Sequence, residues 1–189
     1  MKKDKTVLLN DLFIDHIVDR VKQYTLIVDD RAGSPTLGQK IPLPNLFFLH
    51  SSLNEFNDDM LKLTGGKEED KKFPFIWINN GRKNVIYEFN SVGEQIITVK
   101  QMLVGTMTKN NYSSEQRTEK VFRSILNPLV DTLMYYLSLN GGNCELIDES
   151  YKFENHYFYG KDENSNPFND FIDVVEVTDF KLLVKINNC

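Results

Sequence analysis

The chain predicts an α+β fold: a mainly antiparallel sheet packed on one long kinked α-helix, with two shorter helices N-terminal to it. Three observations carry that expectation. Ser-led capping boxes open helical patterns at Ser52 and Ser113. Apolar runs bounded by Gly and Asn recur at 71–78, 85–90, 95–108 and 173–187. Helical and strand patterns are segregated along the chain rather than alternating regularly. With 189 residues, 41% hydrophobic and 12% aromatic, the chain is long and apolar enough for one packed domain spanning 1–189.

The first helix is expected over about Asn10–Tyr24, where Asn10 caps, Asp11 suits the positive end of the dipole, and Phe13, Ile17, Val21 and Tyr24 form one stripe. A short strand "TLIVDD" follows, closed by the loop "RAGSPTLGQK" over 31–40. In "IPLPNLFFLH", Pro42 and Pro44 lack the N–H that a ladder needs, which suggests an edge strand or an extended arm. The second helix starts at Ser52 with Glu55 in the capping-box position, presents Leu53, Phe56, Met60 and Leu63, and stops at Gly65-Gly66.

"FPFIWI" at 73–78 places Phe73, Phe75 and Trp77 on one strand face and Ile76 and Ile78 on the other. Both faces are apolar, so both need cover: the long helix on one, another layer or a neighbouring subunit on the other. "VIYEFN" and "QIITVKQMLVGTMT" read as an antiparallel pair joined by "SVGE". In the second of these, Ile97, Val99 and Leu103 are expected on one face and Lys100, Met102 and Val104 on the other, on a strand long enough to project from the body. The longest helix opens at Ser113 with Gln116 and ends at Gly141-Gly142. Val121, Phe122, Ile125, Leu129, Leu133, Tyr136 and Leu137 form its apolar stripe, and Pro128 predicts a kink. Strands are expected over 144–160, with a break, and over 173–187, separated by the polar loop 161–170. Phe73, Phe75, Trp77, Phe122, Leu126, Leu129 and Leu133 are the predicted core.

A formal charge of −5 argues against a protein that grips nucleic acid by broad phosphate neutralisation. No apolar run has the roughly 18–20 residues needed to span a bilayer, and Asp11 and Asp15 interrupt the N-terminal apolar stretch, so neither a membrane partner nor a signal peptide is expected. Cys144 and Cys189 read as free thiols. His16, His50 and His156 have neither the i,i+4 spacing of a zinc-binding helix nor a cysteine cluster beside them. A metal-dependent nuclease would rest on Asp179 and Lys181, two residues apart on one strand face. The preceding Pro-Asp pair that such sites use is missing, because none of the six prolines is followed by Asp. No phosphate loop and no Ser–His–Asp arrangement occurs. Catalytic residues, metal and cofactor are all expected to be none. The informative features are contact surfaces: Leu46, Phe47 and Phe48; Met102, Val104 and Met107; and Tyr157, Phe158 and Tyr159.

Four stretches together resemble a known family. "KKFPFIWINN" is similar to the opening strand, and "YSSEQRTEKVFRSILNPLVDTLMYYL" to the long helix, of small head–tail connector proteins of tailed bacteriophages, notably those of Bacteroidetes and crAss-like phages. "SSLNEFNDDMLKLTGGKEED" falls where those proteins place a helix and variable loop, and "DFIDVVEVTDFKLLVKIN" resembles their closing strand. "KFPFIWI" and "EQRTEKVFRSILNPL" are the distinctive parts. The resemblance implies a structural tail-completion or neck protein of the virion, assembled in the host bacterial cytoplasm. Its partners would be copies of itself in a hexameric or dodecameric ring, and portal, adaptor and tail proteins, with DNA passing through the channel without sequence-specific contact. The family's role uses no catalytic residues. A stand-alone protein-binding module of phage origin is the other non-enzymatic alternative.

Overall fold

The computed structural model describes residues 18, 20–21, 25–27, 40–42, 46–62, 73–81, 83–138, 144–147, 151–157, 159 and 171–184. Thr25–Ile27 (β1) and Lys40–Pro42 (β2) pair as a small antiparallel ribbon. The main sheet has seven strands: β3 (Phe47–Ser51), β4 (Phe75–Asn79), β5 (Val85–Phe89), β6 (Gln95–Met107), β7 (Cys144–Ile147), β8 (Lys152–His156) and β9 (Ile172–Val184). Two 13-residue strands, β6 and β9, pair along nearly their whole length and form its spine. The outer edge of β6 carries β5 on its first half and β4 on its second; that of β9 carries β8 and β7.

The expected α+β arrangement is corrected to a mixed α/β one. β3 and β4 run parallel, Phe47 beside Phe75 through Ser51 beside Asn79, and helix α1 (Leu53–Lys62) lies between them in sequence. Parallel neighbours cannot be joined by a hairpin and require a crossover, which α1 supplies. Two helices are described where three were expected; of the span 10–24 only Val18, Arg20 and Val21 are described, and both valines are buried in the main core.

The second helix, α2, is a 25-residue run over 114–138 and not one kinked α-helix. Ser114–Arg117 is α-helical, Thr118–Leu126 is π-helical, and Asn127–Ser138 is α-helical again. Ser113 caps it as its spacing predicts: its hydroxyl accepts from Gln116 N–H at 3.2 Å, and its own N–H donates to Gln116 Oε1 at 3.0 Å. The wide turns end just before Pro128, with Asn127 N–H reaching back five residues to Phe122 O. A proline has no N–H to give and crowds the carbonyl four residues back, and the wider turn changes which carbonyls face it.

Two cores result, one on each face of the sheet. Phe122, Leu126, Leu129 and Leu133 of α2 are buried against Ile76, Ile78, Val99, Met102, Val104 and Val177. On the other face, Phe56 and Met60 of α1 cover Phe75, Trp77, Leu103, Ile172 and Val174, with Phe73 partly buried beside them. Trp77 stacks on Phe56 at 4.8 Å between ring centroids and donates its indole N–H to Ser51 Oγ at 3.2 Å. Burying one such aromatic is worth on the order of 4–6 kcal/mol by apolar area alone. The cover that this double-sided strand requires is thus supplied within the chain.

The spine contains a paired irregularity. Ile97 and Val99 point to the α2 side, and so do Met102 and Val104, although regular alternation would send the second pair the other way. On β9, Val175 and Val177 share that side with Phe180, Leu182 and Val184. Each strand therefore carries one extra residue, at Lys100 and at Asp179, and the ladder resumes with Gln101 beside Thr178. Asp179 adopts φ 60°, a left-handed conformation that Asp tolerates better than most residues. Lys100 N–H leaves the spine to donate to Asn84 O at 2.7 Å, while its ammonium meets Asp179 Oδ1 at 2.6 Å.

A buried ion pair joins the start of α2 to the strands beneath. Arg117 Nη1 donates to both carboxylate oxygens of Asp173, at 2.8 and 3.0 Å, and to Thr108 Oγ1; Nη2 donates to Lys109 O at 2.8 Å and Nε to Tyr112 O at 3.3 Å. Both charged side chains are all but excluded from solvent.

Candidate functional site

The surfaces expected to make contacts are redistributed by the fold. Met102 and Val104 are fully buried under α2 because of the phase change at Lys100, and Leu46 is buried in the same core. The long strand expected to project is the spine of the sheet instead. Phe47 and Phe48 are partly buried against the two cores, and Tyr159 packs on the core beneath α1. Met107 and Tyr157 remain about half exposed. Phe158 lies outside the described residues, as do loop 31–40 up to Lys40, loop 161–170 and His16.

Asp179 pairs with Lys100 and, among the described residues, belongs to no cluster of three metal-ligating side chains. The carboxylate of Asp179 is held below the usual range first by its hydrogen bond from Lys100, then by the charges of Lys100, Lys152 and Lys181. A carboxylate ringed by ammonium groups is a poor ligand for a divalent cation.

A groove runs between α2 and the β7–β8 edge. Its two adjoining parts share Asp131 and Phe153; one, about 350 Å³, is walled by Asn127, Val130, Asn155 and Val175, the other by Met134, Tyr135, Leu146 and Tyr151. Phe153 and Tyr135 are about half exposed, and Tyr151 and Phe153 meet edge to face at 5.2 Å. Asp131, the acid in this groove, has its carboxyl pKa raised by burial.

On the opposite face three potential ligand side chains converge. Strand alternation puts Glu154 and His156 on one side of β8, and register sets Glu154 directly beside Glu176 of β9. His156 Nε2 lies 2.9 Å from Glu176 Oε2 and 3.9 Å from Glu154 Oε2. The shorter approach lacks the alignment of a hydrogen bond, so the buried Nε2 is left without a hydrogen-bond partner. Gln101 Nε2 donates to Glu176 Oε1 at 2.7 Å, and Asn79 Nδ2 in turn donates to Gln101 Oε1 at 3.1 Å. Tyr159 stands edge-on to His156 at 6.1 Å, its phenol pKa raised by burial and then by the charge of Glu176.

Sequence reasoning treats His156 as an ordinary histidine. The available signal is the spacing in "FENH", which places an acid and an imidazole on one strand face; the partner, 20 residues further on, follows only from β8–β9 pairing. Arg117 and Asp173 are likewise 56 residues apart in sequence. Among the described residues, no helix is long and apolar enough to cross a membrane. No protein-family model matches this sequence, and no curated protein or solved structure is significantly similar to it.

Proposed function

We propose that this chain is a non-enzymatic assembly subunit of a tailed-phage virion, acting at the head–tail joint as one member of a ring. The observation that supports an assembly role is the groove between α2 and the β7–β8 edge. It exposes Tyr135 and Phe153, with Tyr151 and Leu146 partly buried beside them and Val130 and Met134 buried beneath. Exposed aromatics along a groove are favoured anchors for protein partners, because they bury large areas at small entropic cost. Among the described lining residues Asp131 has no histidine or thiol beside it, and the hydroxyl of Ser138 donates to Tyr135 O at 2.8 Å. The virion setting rests on the resemblance of "KFPFIWI" and "EQRTEKVFRSILNPL" to phage connectors. The net charge of −5 accords with a channel through which DNA slides without being gripped.

Light scattering and negative-stain imaging of the purified chain, alone and mixed with the portal and tail proteins encoded beside it, test the reading. Rings, or a stable complex with either partner that Phe153→Glu abolishes, are expected. A chain that stays monomeric and binds neither partner refutes it.

A further inference from the structure

We propose that Glu154, His156 and Glu176 form a site for one divalent transition-metal ion, Zn²⁺ in the first instance, which clips β8 to β9. Their ligand atoms all lie within 4.8 Å of one another. A tetrahedral ion with bonds of about 2.0–2.1 Å separates its ligand atoms by about 3.4 Å. The observed Nε2–oxygen distances of 2.9 and 3.9 Å bracket that spacing, so small side-chain rotations suffice.

Two further features point to a cation. Glu154 and Glu176 are cross-strand partners in register, and like charges placed directly opposite destabilise a sheet unless something positive sits between them. The second feature is orientation. Gln101 occupies Oε1 of Glu176, itself steered by Asn79, which leaves Oε2 directed at the imidazole. Metal-ligating carboxylates are commonly fixed by such an outer partner. One imidazole and two carboxylates suit Zn²⁺ and related ions better than a thiolate-seeking metal. Three protein ligands leave a fourth position for water.

A protonated His156 between the two carboxylates is the competing account, and the experiment separates them. The full chain, stripped with chelator, is titrated with ZnCl₂ by calorimetry and with Co²⁺ by visible absorption. The site requires one equivalent bound and a cobalt spectrum of nitrogen and oxygen ligands without thiolate charge transfer. It also requires a rise of about 5–10 °C in thermal midpoint at a hundredfold excess over Kd. Affinity should fall at least about tenfold in both His156→Ala and the isosteric Glu176→Gln, and by about 10–100-fold in Gln101→Met, which touches no metal. No binding, binding equally tight in His156→Ala and Glu176→Gln, or a thiolate-dominated cobalt spectrum overturns the proposal. A flat titration would leave the protonated imidazole as the group between the carboxylates.

Discussion

Removing the guanidinium of Arg117 should be among the most damaging single changes available to this fold. In Arg117→Met the apolar stem is roughly retained, but Asp173 keeps a charge in a place that solvent does not reach. The substitution also strips donors from Thr108 Oγ1 and from the carbonyls of Lys109 and Tyr112. Breaking a buried pair from one side costs about 3–5 kcal/mol. For a protein of this size that corresponds to a drop of about 6–20 °C in thermal midpoint. With an m-value of about 2 kcal/mol/M, the urea midpoint should fall by roughly 2 M. The double variant Arg117→Met/Asp173→Leu removes the stranded charge and should recover part of the loss. It should remain about 2 kcal/mol below wild type, since two backbone carbonyls still lack their donors at about 1 kcal/mol each. Urea denaturation followed by far-UV circular dichroism measures Arg117→Met, Asp173→Leu and the double variant. If Arg117→Met costs under about 1 kcal/mol, or the two single costs simply add in the double variant, the pair is not the rivet described above.

Other changes probe separate features. Gly105→Ala should cost about 1–3 kcal/mol by thermal melting, because its Cβ would collide with the Phe75 ring and lie 2.8 Å from Val174 Cγ1. Ser113→Ala should cost about 1 kcal/mol through loss of the α2 cap, measurable in the same assay. The carboxyl of Asp179 is depressed in the folded state, chiefly by Lys100, so its contribution is present above the unfolded carboxylate pKa and lost as pH falls through the lower folded value. Lys100→Met should therefore flatten stability against pH in that acid window and leave neutral-to-alkaline behaviour little changed, as acid titration of the melting midpoint would show.

Local signals were the legible ones. The Ser52–Glu55 and Ser113–Gln116 boxes locate both described helix starts, because each depends on residues three apart and on nothing distant. The apolar run at 75–78 reads correctly as a strand buried on both faces. Its parallel neighbour did not show, since "NLFFLH" alternates no differently beside a parallel than an antiparallel partner. The outward placement of Met102 and Val104 failed for a specific reason. Counting in twos from Val99 cannot register a bulge whose only local mark is a lysine, and whose match lies on β9. Within the π-helical turns before Pro128 the stripe position expected at Ile125 is only partly buried and Leu126 is fully buried, a shift that the apolar spacing of the sequence does not mark. Glu176 could not be attached to Glu154 and His156 before β8 was known to pair with β9.

The matched irregularities at Lys100 and Asp179 tie the lengths of two distant parts of the gene together. Dropping Lys100 or Asp179 alone would restore regular alternation on its own strand and keep the valines under the helix, but would leave the other strand's extra residue unmatched as a one-sided bulge. Dropping both at once would leave the hydrogen-bonded rungs facing their old mates. A loss at one of the two positions should therefore favour a loss at the other, whereas a deletion elsewhere in either strand would turn its later side chains inside out.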